Sequence, residues 1–402
     1  MISFYIHFPF CIKKCDYCDF LSFPASDEVR EEYVDALCRE ISLYSDISGK
    51  NGDNTVSTVF FGGGTPSLLT TEQLDKIMSL LNAGFLVSKD AEISLECNPG
   101  TLDLNKLKDI KKLGINRLSI GLQSAVDSEL KTLGRIHDFN RFNLTYSDAR
   151  KAGFDNINID IMSAIPGQDI ESYKRTLTEI VNADPEHISA YSLIIEEGTK
   201  FHDLFDCDTN VIAGKNLPSE DDEREMYHMT RCVLGEAGYH RYEISNYARE
   251  DYECRHNNVY WTGGEYIGVG LGASSYFCGY RYKNLSDMSE YLSAYGKEKG
   301  ILSQFGPNPD DLIKDVRLHE EVGLLSVKDK MEEYMYLGLR RTDGVSIRRF
   351  TEKFGADIDS IYGPVLEKLI KDGLMIKNGD MFKLTDYGID VSNVVLSNFL
   401  LD

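Results

Sequence analysis

The chain has 402 residues, of which 42% are hydrophobic and 27% charged; this excludes a largely disordered protein and allows one large core with a smaller domain. Its formal net charge of −22 disfavours non-specific binding to nucleic acid and to anionic lipid surfaces. No apolar run has the length of a membrane span, and the first ten residues lack the basic start of a signal peptide, so we expect a cytoplasmic protein.

From about residue 3 to residue 193, short β-rich segments alternate with segments of helical periodicity. The predicted strands are residues 3–7, 55–61, 92–96, 116–121, 156–162 and 187–193, and the predicted helices are residues 27–45, 71–83, 103–113, 139–152 and 170–181. Strict alternation predicts βαβ units and a parallel sheet with helices outside. Six such strands are enough for a partial (β/α)6 barrel, where sites form at the carboxyl ends of the strands.

The middle of the chain is less regular. Residues 219–238 predict a helix, and residues 239–282, rich in Tyr and Gly, predict irregular strand and loop. An acidic, Pro-containing stretch near residues 306–311 predicts a linker.

Beyond that stretch the pattern changes to short helices, predicted at residues 331–341, 347–354 and 362–372. A hairpin at residues 374–384 follows, centred on Asn378-Gly379. Helices followed by a hairpin indicate a winged-helix-like domain, although its excess of acidic residues argues against groove binding to DNA. We therefore divide this α/β chain into a barrel core (residues 1–200), a core extension (residues 201–305) and a winged-helix-like domain (residues 306–402).

Three of the nine cysteines, Cys11, Cys15 and Cys18, lie within eight residues directly after the first predicted strand. Their Cys-x3-Cys-x2-Cys spacing lets three thiolates hold three irons of a [4Fe-4S] cubane, with the fourth iron left open. The alternative is a zinc site, which would usually recruit a fourth Cys or His. His7 is near in sequence, but the pleat of its strand sets the direction of its side chain.

A glycine-rich run, Gly62-Gly63-Gly64-Thr65-Pro66, follows the second predicted strand. Consecutive glycines let the backbone approach a ligand closely. The run lacks the Lys-Ser/Thr ending of a phosphate-binding loop, so a nucleoside triphosphate site is a poor fit. A turn without a ligand is the alternative.

Polar residues also occur on the next three strands: Glu96 and Gln123 at strand ends, and Asp160 within a hydrophobic strand. A carboxylate in such a strand costs free energy unless it is paired or binds a ligand. These residues therefore indicate a binding site at the rim of the barrel, and capping of a neighbouring helix is the alternative for each.

The cysteine motif with an aromatic residue, Tyr17, before its third cysteine resembles the radical S-adenosylmethionine (SAM) superfamily. The longer string Tyr5-Ile-His-Phe-Pro-Phe-Cys11 resembles the branch that contains oxygen-independent coproporphyrinogen III oxidase. The resemblance implies a [4Fe-4S] cluster on the three cysteines and a SAM site beside it. The SAM-contacting positions implied by the resemblance are Tyr5, Gly63, Gly64, Thr65, Glu96, Gln123, Arg135 and Asp160.

Two features separate the chain from the oxidase. The oxidase has a further cysteine two positions after the third, where this chain has Phe20, and it carries an extension ahead of the first strand. The string His256-Asn257-Asn258-Val259-Tyr260-Trp261 resembles the His-Asn-x-x-Tyr-Trp haem motif of HemW-type haem chaperones. An imidazole is a good axial ligand for haem iron, and aromatic rings can pack on a porphyrin face. The resemblance implies His256 as the iron ligand with Asn257, Tyr260 and Trp261 beside it; a half-buried histidine in an aromatic loop is the alternative.

We therefore expect a haem chaperone of the radical SAM fold that binds a [4Fe-4S] cluster, SAM and haem. Its expected partners are haem, haem-acceptor proteins and an electron donor such as flavodoxin. We expect neither nucleic-acid binding nor a membrane span, whereas the sequence leaves peripheral membrane contact undecided. We expect a monomer or a homodimer. No residue is assigned a catalytic role. The alternatives are a coproporphyrinogen III oxidase, a radical SAM enzyme that modifies RNA, and a structural zinc protein.

Overall fold

The structure, a computed structural model, describes residues 1–51, 54–206, 209–212, 214–296 and 309–401. The first half of the chain alternates strand and helix, as the sequence predicts. Its elements in chain order are β1 (Ile2–Phe8), α1 (Asp27–Asn51), β2 (Thr55–Gly63), a 3-10 turn (Pro66–Leu68), α2 (Thr71–Gly84), β3 (Leu86–Cys97), α3 (Leu104–Lys112), β4 (Arg117–Gln123), α4 (Asp127–Thr132), α5 (Phe139–Lys151), β5 (Ile157–Ser163), α6 (Ile170–Ala183) and β6 (His187–Ser192).

The middle of the chain adds strands to this sheet and forms a small separate one. Its elements are α7 (Lys200–Leu204), β7 (Phe205–Asp206), β8 (Val211–Ile212), β9 (Lys215–Asn216), α8 (Glu220–Glu236), β10 (His240–Arg241), β11 (Asn246–Ala248), α9 (Arg255–Trp261), β12 (Tyr266–Val269), β13 (Ser274–Phe277), β14 (Tyr280–Asn284), α10 (Met288–Tyr295), α11 (Pro309–Ile313) and β15 (His319–Leu324).

The C-terminal region has its own hydrophobic core, which begins at Met331 and ends at Phe399. A three-stranded sheet and several helices enclose this core. Its elements are α12 (Val327–Gly338), β16 (Val345–Ser346), α13 (Ile347–Phe354), α14 (Ile358–Lys371), β17 (Met375–Asn378), β18 (Met381–Leu384), α15 (Asp386–Asp390) and α16 (Ser392–Ser397).

Strands β1 to β6 lie side by side in chain order and run parallel. A doubly wound sheet would reverse its strand order, so this order is that of a partial (β/α)6 barrel. Strands β12 to β15 continue the sheet beyond β1, and β11 and β10 continue it beyond β6. The carboxyl ends of the six parallel strands therefore meet along one rim.

Local signals in the sequence begin most of the barrel helices. Thr70 and Asp169 form capping boxes at the starts of α2 and α6, and the Asp103 and Asp138 carboxylates accept hydrogen bonds at the starts of α3 and α5. Such caps satisfy backbone N–H groups that have no partner within the helix. The apolar faces of these helices pack on the sheet to form the main core.

The structure confirms the α/β class, the partial barrel and the winged-helix-like domain, and it corrects three details. A helix, α9, lies inside the stretch 239–282 that was predicted to be irregular. Helix α11 begins at Pro309 and so covers residues 309–311 of the predicted linker, whose residues 306–308 lie outside the described residues. The C-terminal hairpin turns at Gly379-Asp380, one position later than predicted, because Asn378 pairs with Met381.

The domain boundary at residue 306 stays a prediction. Strand β15 lies beyond it and still pairs with β14 of the large sheet. Among the described residues, no helix combines the length and apolarity needed to cross a membrane.

Candidate functional site at the barrel rim

The cysteine loop connects β1 to α1 and is fixed at both of its sides. The Cys11 N–H donates to the Phe23 carbonyl at 3.1 Å, and the Asp16 N–H donates to the Leu133 carbonyl at 3.0 Å. Cys11 is buried, whereas Cys15 and Cys18 are partly exposed. The loop thus holds all three thiols at the carboxyl end of β1, where they line one pocket.

Two side chains donate hydrogen bonds to the sulfur atoms of this loop. The Thr65 hydroxyl lies 3.3 Å from Cys11 Sγ, and an Arg135 guanidinium nitrogen lies 3.6 Å from Cys15 Sγ. Within the described residues, no three His, Cys, Asp or Glu side chains converge on a single metal ion. A cubane does not need such convergence, because each thiolate binds a different iron. The three cysteines, with hydrogen bonds donated to two of their sulfur atoms, fit a [4Fe-4S] cluster.

The glycine run after β2 passes very close to the chain around β1. A Cβ on Gly63, whose φ is +109°, would lie 2.5 Å from the His7 ring, and a Cβ on Gly64 would lie 2.8 Å from the Phe10 carbonyl oxygen. The sequence interpretation, close approach to a ligand, is thus only part of the reason for these glycines. They also let β2 approach the segment that leads into the cysteine loop.

Two carboxylates, one on β3 and one on β5, enter the same pocket. Glu96 accepts a hydrogen bond from the Gly63 N–H at 3.1 Å, and Asp160 accepts hydrogen bonds from Asn158 at 2.7 Å and Ser119 at 3.3 Å. Burial, with a contribution from the negative charge of Asp160, raises the pKa of Glu96 to about 8. Burial also raises the pKa of Asp160. Two desolvated acids this close favour a ligand that carries positive charge and hydroxyl donors, as SAM does.

Gln123 and Arg135 complete the rim. Gln123 has a φ of +73°, which is rare for a residue with a side chain and often occurs at functional sites. Arg135 donates to Asn98 Oδ1 at 2.6 Å and to the Gly121 carbonyl at 2.5 Å, while its buried Nε has no partner among the described residues. A buried guanidinium with an unused donor can bind an anionic group, such as a ligand carboxylate.

The structure brings most of the predicted site residues together. One rim pocket of about 130 Å³ is lined by Cys11, Cys15, Cys18, Gly63, Gly64, Thr65, Glu96, Gln123, Arg135 and Asp160. Phe20, which stands where the oxidase has its further cysteine, also lines this pocket and is largely exposed.

A second cavity, of about 180 Å³, lies inside the barrel and shares Glu96 and Asp160 with the first. Tyr5, His256, Asn257 and Tyr260 line it, so Tyr5 lies on the opposite side of Glu96 from the cysteines. Most of the residues that line it carry polar groups, and only 1% of His256 is exposed.

Both ring nitrogens of His256 already have hydrogen-bond partners. Nδ1 lies 2.8 Å from the Thr58 hydroxyl, and Nε2 lies 2.8 Å from the Tyr260 hydroxyl. The ring also stacks on Phe60, with 5.2 Å between the ring centroids. Burial, and then the nearby positive charge of Arg117, lower the pKa of His256 to about 3, so the imidazole is neutral. Coordination of haem iron by His256 would therefore require one of these two hydrogen bonds to break.

The structure does not gather the whole His-Asn-x-x-Tyr-Trp motif at one place. His256 and Trp261 are five residues apart on α9, which rotates them by roughly 140° about the helix axis at 100° per residue. His256 faces the barrel interior, whereas Trp261 lines a cleft beside the C-terminal domain.

Sequence reasoning missed two site residues. Asn98 connects two residues of the rim pocket, since it accepts a hydrogen bond from Arg135 and donates one to Thr65 at 2.9 Å. Its position two residues after Glu96 was the sequence feature that could have identified it. Arg117 lines the second cavity and is 2% exposed. An arginine at the start of a strand is typical of an exposed position, so no sequence pattern marked it.

Comparisons with known proteins agree with this geometry. The Radical SAM superfamily model matches residues 5–180, and the HemN C-terminal domain model matches residues 325–391. The heme chaperone HemW of Bacillus subtilis is 36% identical over 402 residues, with 100% of this chain and 99% of the relative covered. The HemW of Lactococcus lactis is 34% identical, with 100% of this chain and 97% of the relative covered. The HemW of Escherichia coli is 37% identical over 68% of this chain and 69% of its own length.

Among solved structures, coproporphyrinogen III oxidase (HemN) from Escherichia coli, a radical SAM enzyme, superposes with a TM-score of 0.81. The match covers 99% of this chain and 90% of that one at 23% sequence identity. At that identity the likeness concerns the fold.

Proposed function

The chain belongs to the radical SAM superfamily and, within it, to the HemW family of haem chaperones, and from that membership we propose that it binds haem and passes it to acceptor proteins. The observation that carries the proposal is the similarity to HemW of Bacillus subtilis, which extends over the full length of both chains. Phe20 in place of a fourth cysteine also supports a chaperone over an oxidase.

We propose that the family's [4Fe-4S] cluster sits on Cys11, Cys15 and Cys18. Thr65 and Arg135 donate to two of these sulfurs, which stabilises the thiolate form that iron requires. When bound, the cluster supplies the electron with which this superfamily cleaves SAM reductively.

The SAM site of the proposal is the rim pocket beside the cysteines. Glu96 and Asp160 offer carboxylates to the hydroxyl and positively charged groups of the ligand, and Arg135 has an unpaired buried donor for its carboxylate. Gly63, Gly64, Thr65 and Gln123 shape the wall, and Tyr5 lies at the inner side of Glu96.

The haem residues implied by the motif are His256, Asn257, Tyr260 and Trp261. Iron ligation by His256 stays a sequence prediction, since the imidazole would have to release Thr58 or Tyr260. We further propose a cytoplasmic location, electron supply by a small redox protein such as flavodoxin, and a monomeric or homodimeric state.

Two measurements on one anaerobic preparation test the function. We expect hemin titration to produce a saturable Soret band at about one equivalent. We expect no vinyl-bearing product from coproporphyrinogen III in the presence of SAM and a reductant. Absence of saturable hemin binding would overturn the chaperone proposal, and clear formation of protoporphyrinogen would establish the oxidase in its place.

A further inference from the structure

One side chain of the rim pocket contacts both of the groups that donate hydrogen bonds to the cysteine sulfurs. Asn98 Oδ1 accepts from an Arg135 guanidinium nitrogen at 2.6 Å, and Asn98 Nδ2 donates to the Thr65 hydroxyl at 2.9 Å. Thr65 in turn donates to Cys11 Sγ at 3.3 Å. The other terminal nitrogen of Arg135 donates to Cys15 Sγ at 3.6 Å. A single amide group therefore connects the hydrogen bonds that two of the three cysteines receive.

Arg135 fixes the orientation of this amide. A guanidinium has donors and no acceptor, so the Asn98 atom that faces it must be the oxygen. The NH2 group of Asn98 then faces Thr65 and donates to its oxygen. Because the Thr65 oxygen accepts this hydrogen bond, the hydroxyl hydrogen can point at Cys11 Sγ. The direction of the Thr65 O–H bond thus depends on a donor at position 98.

The surroundings hold the arrangement in place. The Asn98 carbonyl oxygen accepts hydrogen bonds from the Thr101 N–H at 3.1 Å and from the Thr101 hydroxyl at 2.7 Å. Thr65 is 3% exposed and Cys11 is 8% exposed. Hydrogen bonds that are shielded from water in this way have stronger electrostatic effects than exposed ones. A change of one hydrogen-bond direction here should therefore be measurable at the sulfur atom.

We propose that Asn98 is a positioning residue for the iron–sulfur cluster, because it turns the Thr65 hydroxyl toward Cys11 and so raises the reduction potential of the cluster. The inference rests on the proposed cluster site and deepens it by naming a residue that acts through another. Reduction adds one electron, supplied by a low-potential reductant, and hydrogen bonds to the sulfur ligands stabilise the more negative reduced form. Loss of the hydrogen bond from Thr65 should make the reduction potential more negative.

Asn98→Asp tests the orientation with almost no change of shape. The carboxylate still accepts from Arg135, but it offers Thr65 only an acceptor, so the hydroxyl should turn away from Cys11. The added negative charge also lowers the reduction potential. The effect of orientation is separated from that of charge by measuring Thr65→Val, which removes the hydroxyl, both in the parent and in Asn98→Asp.

Two further variants serve as controls. Thr65→Ser keeps a hydroxyl group at position 65 and should retain the reduction potential of the parent. Asn105→Asp adds one negative charge at an exposed position of α3 and should leave the potential unchanged. Circular dichroism verifies that each variant is folded.

The measurement is an anaerobic redox titration of the reconstituted full-length protein without SAM, followed by electron paramagnetic resonance of the reduced cluster. In the parent, we expect Thr65→Val to lower the equilibrium constant for one-electron reduction about tenfold, which corresponds to about 59 mV. In the Asn98→Asp background, the same substitution should change this constant by less than about twofold, because the hydroxyl no longer donates to Cys11.

Each contrary outcome has a distinct meaning. An equal effect of Thr65→Val in both backgrounds would show that Asn98 does not orient the hydroxyl, and the inference would be overturned while the cluster site stands. An unchanged potential of Thr65→Val in the parent would overturn it in the same way. If the parent itself takes up no [4Fe-4S] cluster, the proposed cluster site fails and the inference fails with it.

Discussion

Gly64 illustrates how a residue can have two reasons for its identity, of which sequence shows only one. The glycine run suggested a close approach to a ligand. The structure adds that a Cβ at Gly64 would lie 2.8 to 3.0 Å from three backbone atoms of Phe10, the residue just before the first cysteine. Backbone atoms cannot rotate away as a flexible side chain can, so the cysteine loop would have to move.

We expect Gly64→Ala to lower the free energy of unfolding by about 1–3 kcal/mol, the usual cost of overpacking. It should also reduce cluster incorporation, because the displaced Phe10 carries Cys11 with it. Iron and sulfide analysis after anaerobic reconstitution, together with urea unfolding, measures both effects.

Gly235→Ala is the matched control. Gly235 lies in α8, where a Cβ would meet nothing within 4 Å. Alanine should stabilise this helix by roughly 0.5–1 kcal/mol and leave the iron content unchanged. Normal cluster content in Gly64→Ala would show that the loop tolerates the added methyl group.

The sequence located side chains that stand in a recognisable local pattern. The cysteine spacing, the glycine run and the polar strand positions indicated a rim site, and nine of these residues do line one pocket. Arg135, which only the family resemblance implied, is the tenth. The sequence did not identify Arg117 as a site residue, because no adjacent residue indicates that Glu92, Cys254 and Asp160 lie near it in the fold. Burial of that kind results from tertiary packing.

Helix α9 was missed for a related reason. The side chain of its N-cap residue, Cys254, does not accept a hydrogen bond from the first turn of the helix. Instead the Glu92 carboxylate, from β3, accepts from the backbone N–H groups of Arg255 at 3.1 Å and His256 at 3.0 Å. A cap supplied by a residue more than 160 positions away has no local signature. The caps of α2, α3, α5 and α6, in contrast, come from the residue just before each helix.

We therefore expect Glu92→Ala to destabilise the protein by at least about 1–2 kcal/mol, the usual cost of a lost cap. Hydrogen exchange should accelerate specifically in the amides of α9, because Arg255 and His256 lose their acceptor. Mass-spectrometric exchange of the peptide that covers residues 255–261 measures this effect.

Asp103→Ala removes a comparable cap from α3, where Asp103 accepts from the Lys106 N–H. Its cost should be about 1 kcal/mol, with the exchange of α9 unchanged. Equal exchange of α9 in both variants would contradict the capping role of Glu92.

The first helix and the segment of residues 270–291 contact each other through one buried carboxyl group. Glu40, on α1, accepts hydrogen bonds from the Gly270 N–H at 2.8 Å, from Asn284 at 2.6 Å and from the Tyr291 hydroxyl at 2.6 Å. It thereby joins the first helix to the strands that continue the sheet beyond β1. Burial raises the pKa of Glu40 to about 7, against the opposing effect of these hydrogen bonds.

Because the pKa of Glu40 is higher in the folded than in the unfolded chain, the folded state retains the proton as pH rises from 4.5 to about 7. The contribution of Glu40 to the free energy of unfolding therefore falls as pH rises from 4.5 to about 7. Glu40→Gln removes this titration and keeps a carbonyl oxygen that can accept the hydrogen bond from the Asn284 amide.

Urea unfolding at pH 5 and pH 8 measures the effect. We expect the parent to lose up to about 3 kcal/mol more than Glu40→Gln between these two pH values. Glu32→Gln, an exposed change on the same helix, should follow the parent. Parallel pH profiles for the parent and Glu40→Gln would show that Glu40 is not the titrating group.

Strand β1, which leads into the cysteine loop, pairs with β2 on one side and with β12 on the other. Ser3 pairs with Tyr266, so the second neighbour of β1 is synthesised long after the first. At typical ribosome speeds of roughly 5–20 residues per second, the roughly 200 residues between β2 and β12 take about 10–40 s. During that time the nascent chain exposes an open strand edge next to its three thiols. The sheet around the cysteine loop can thus close only after β12 has been synthesised.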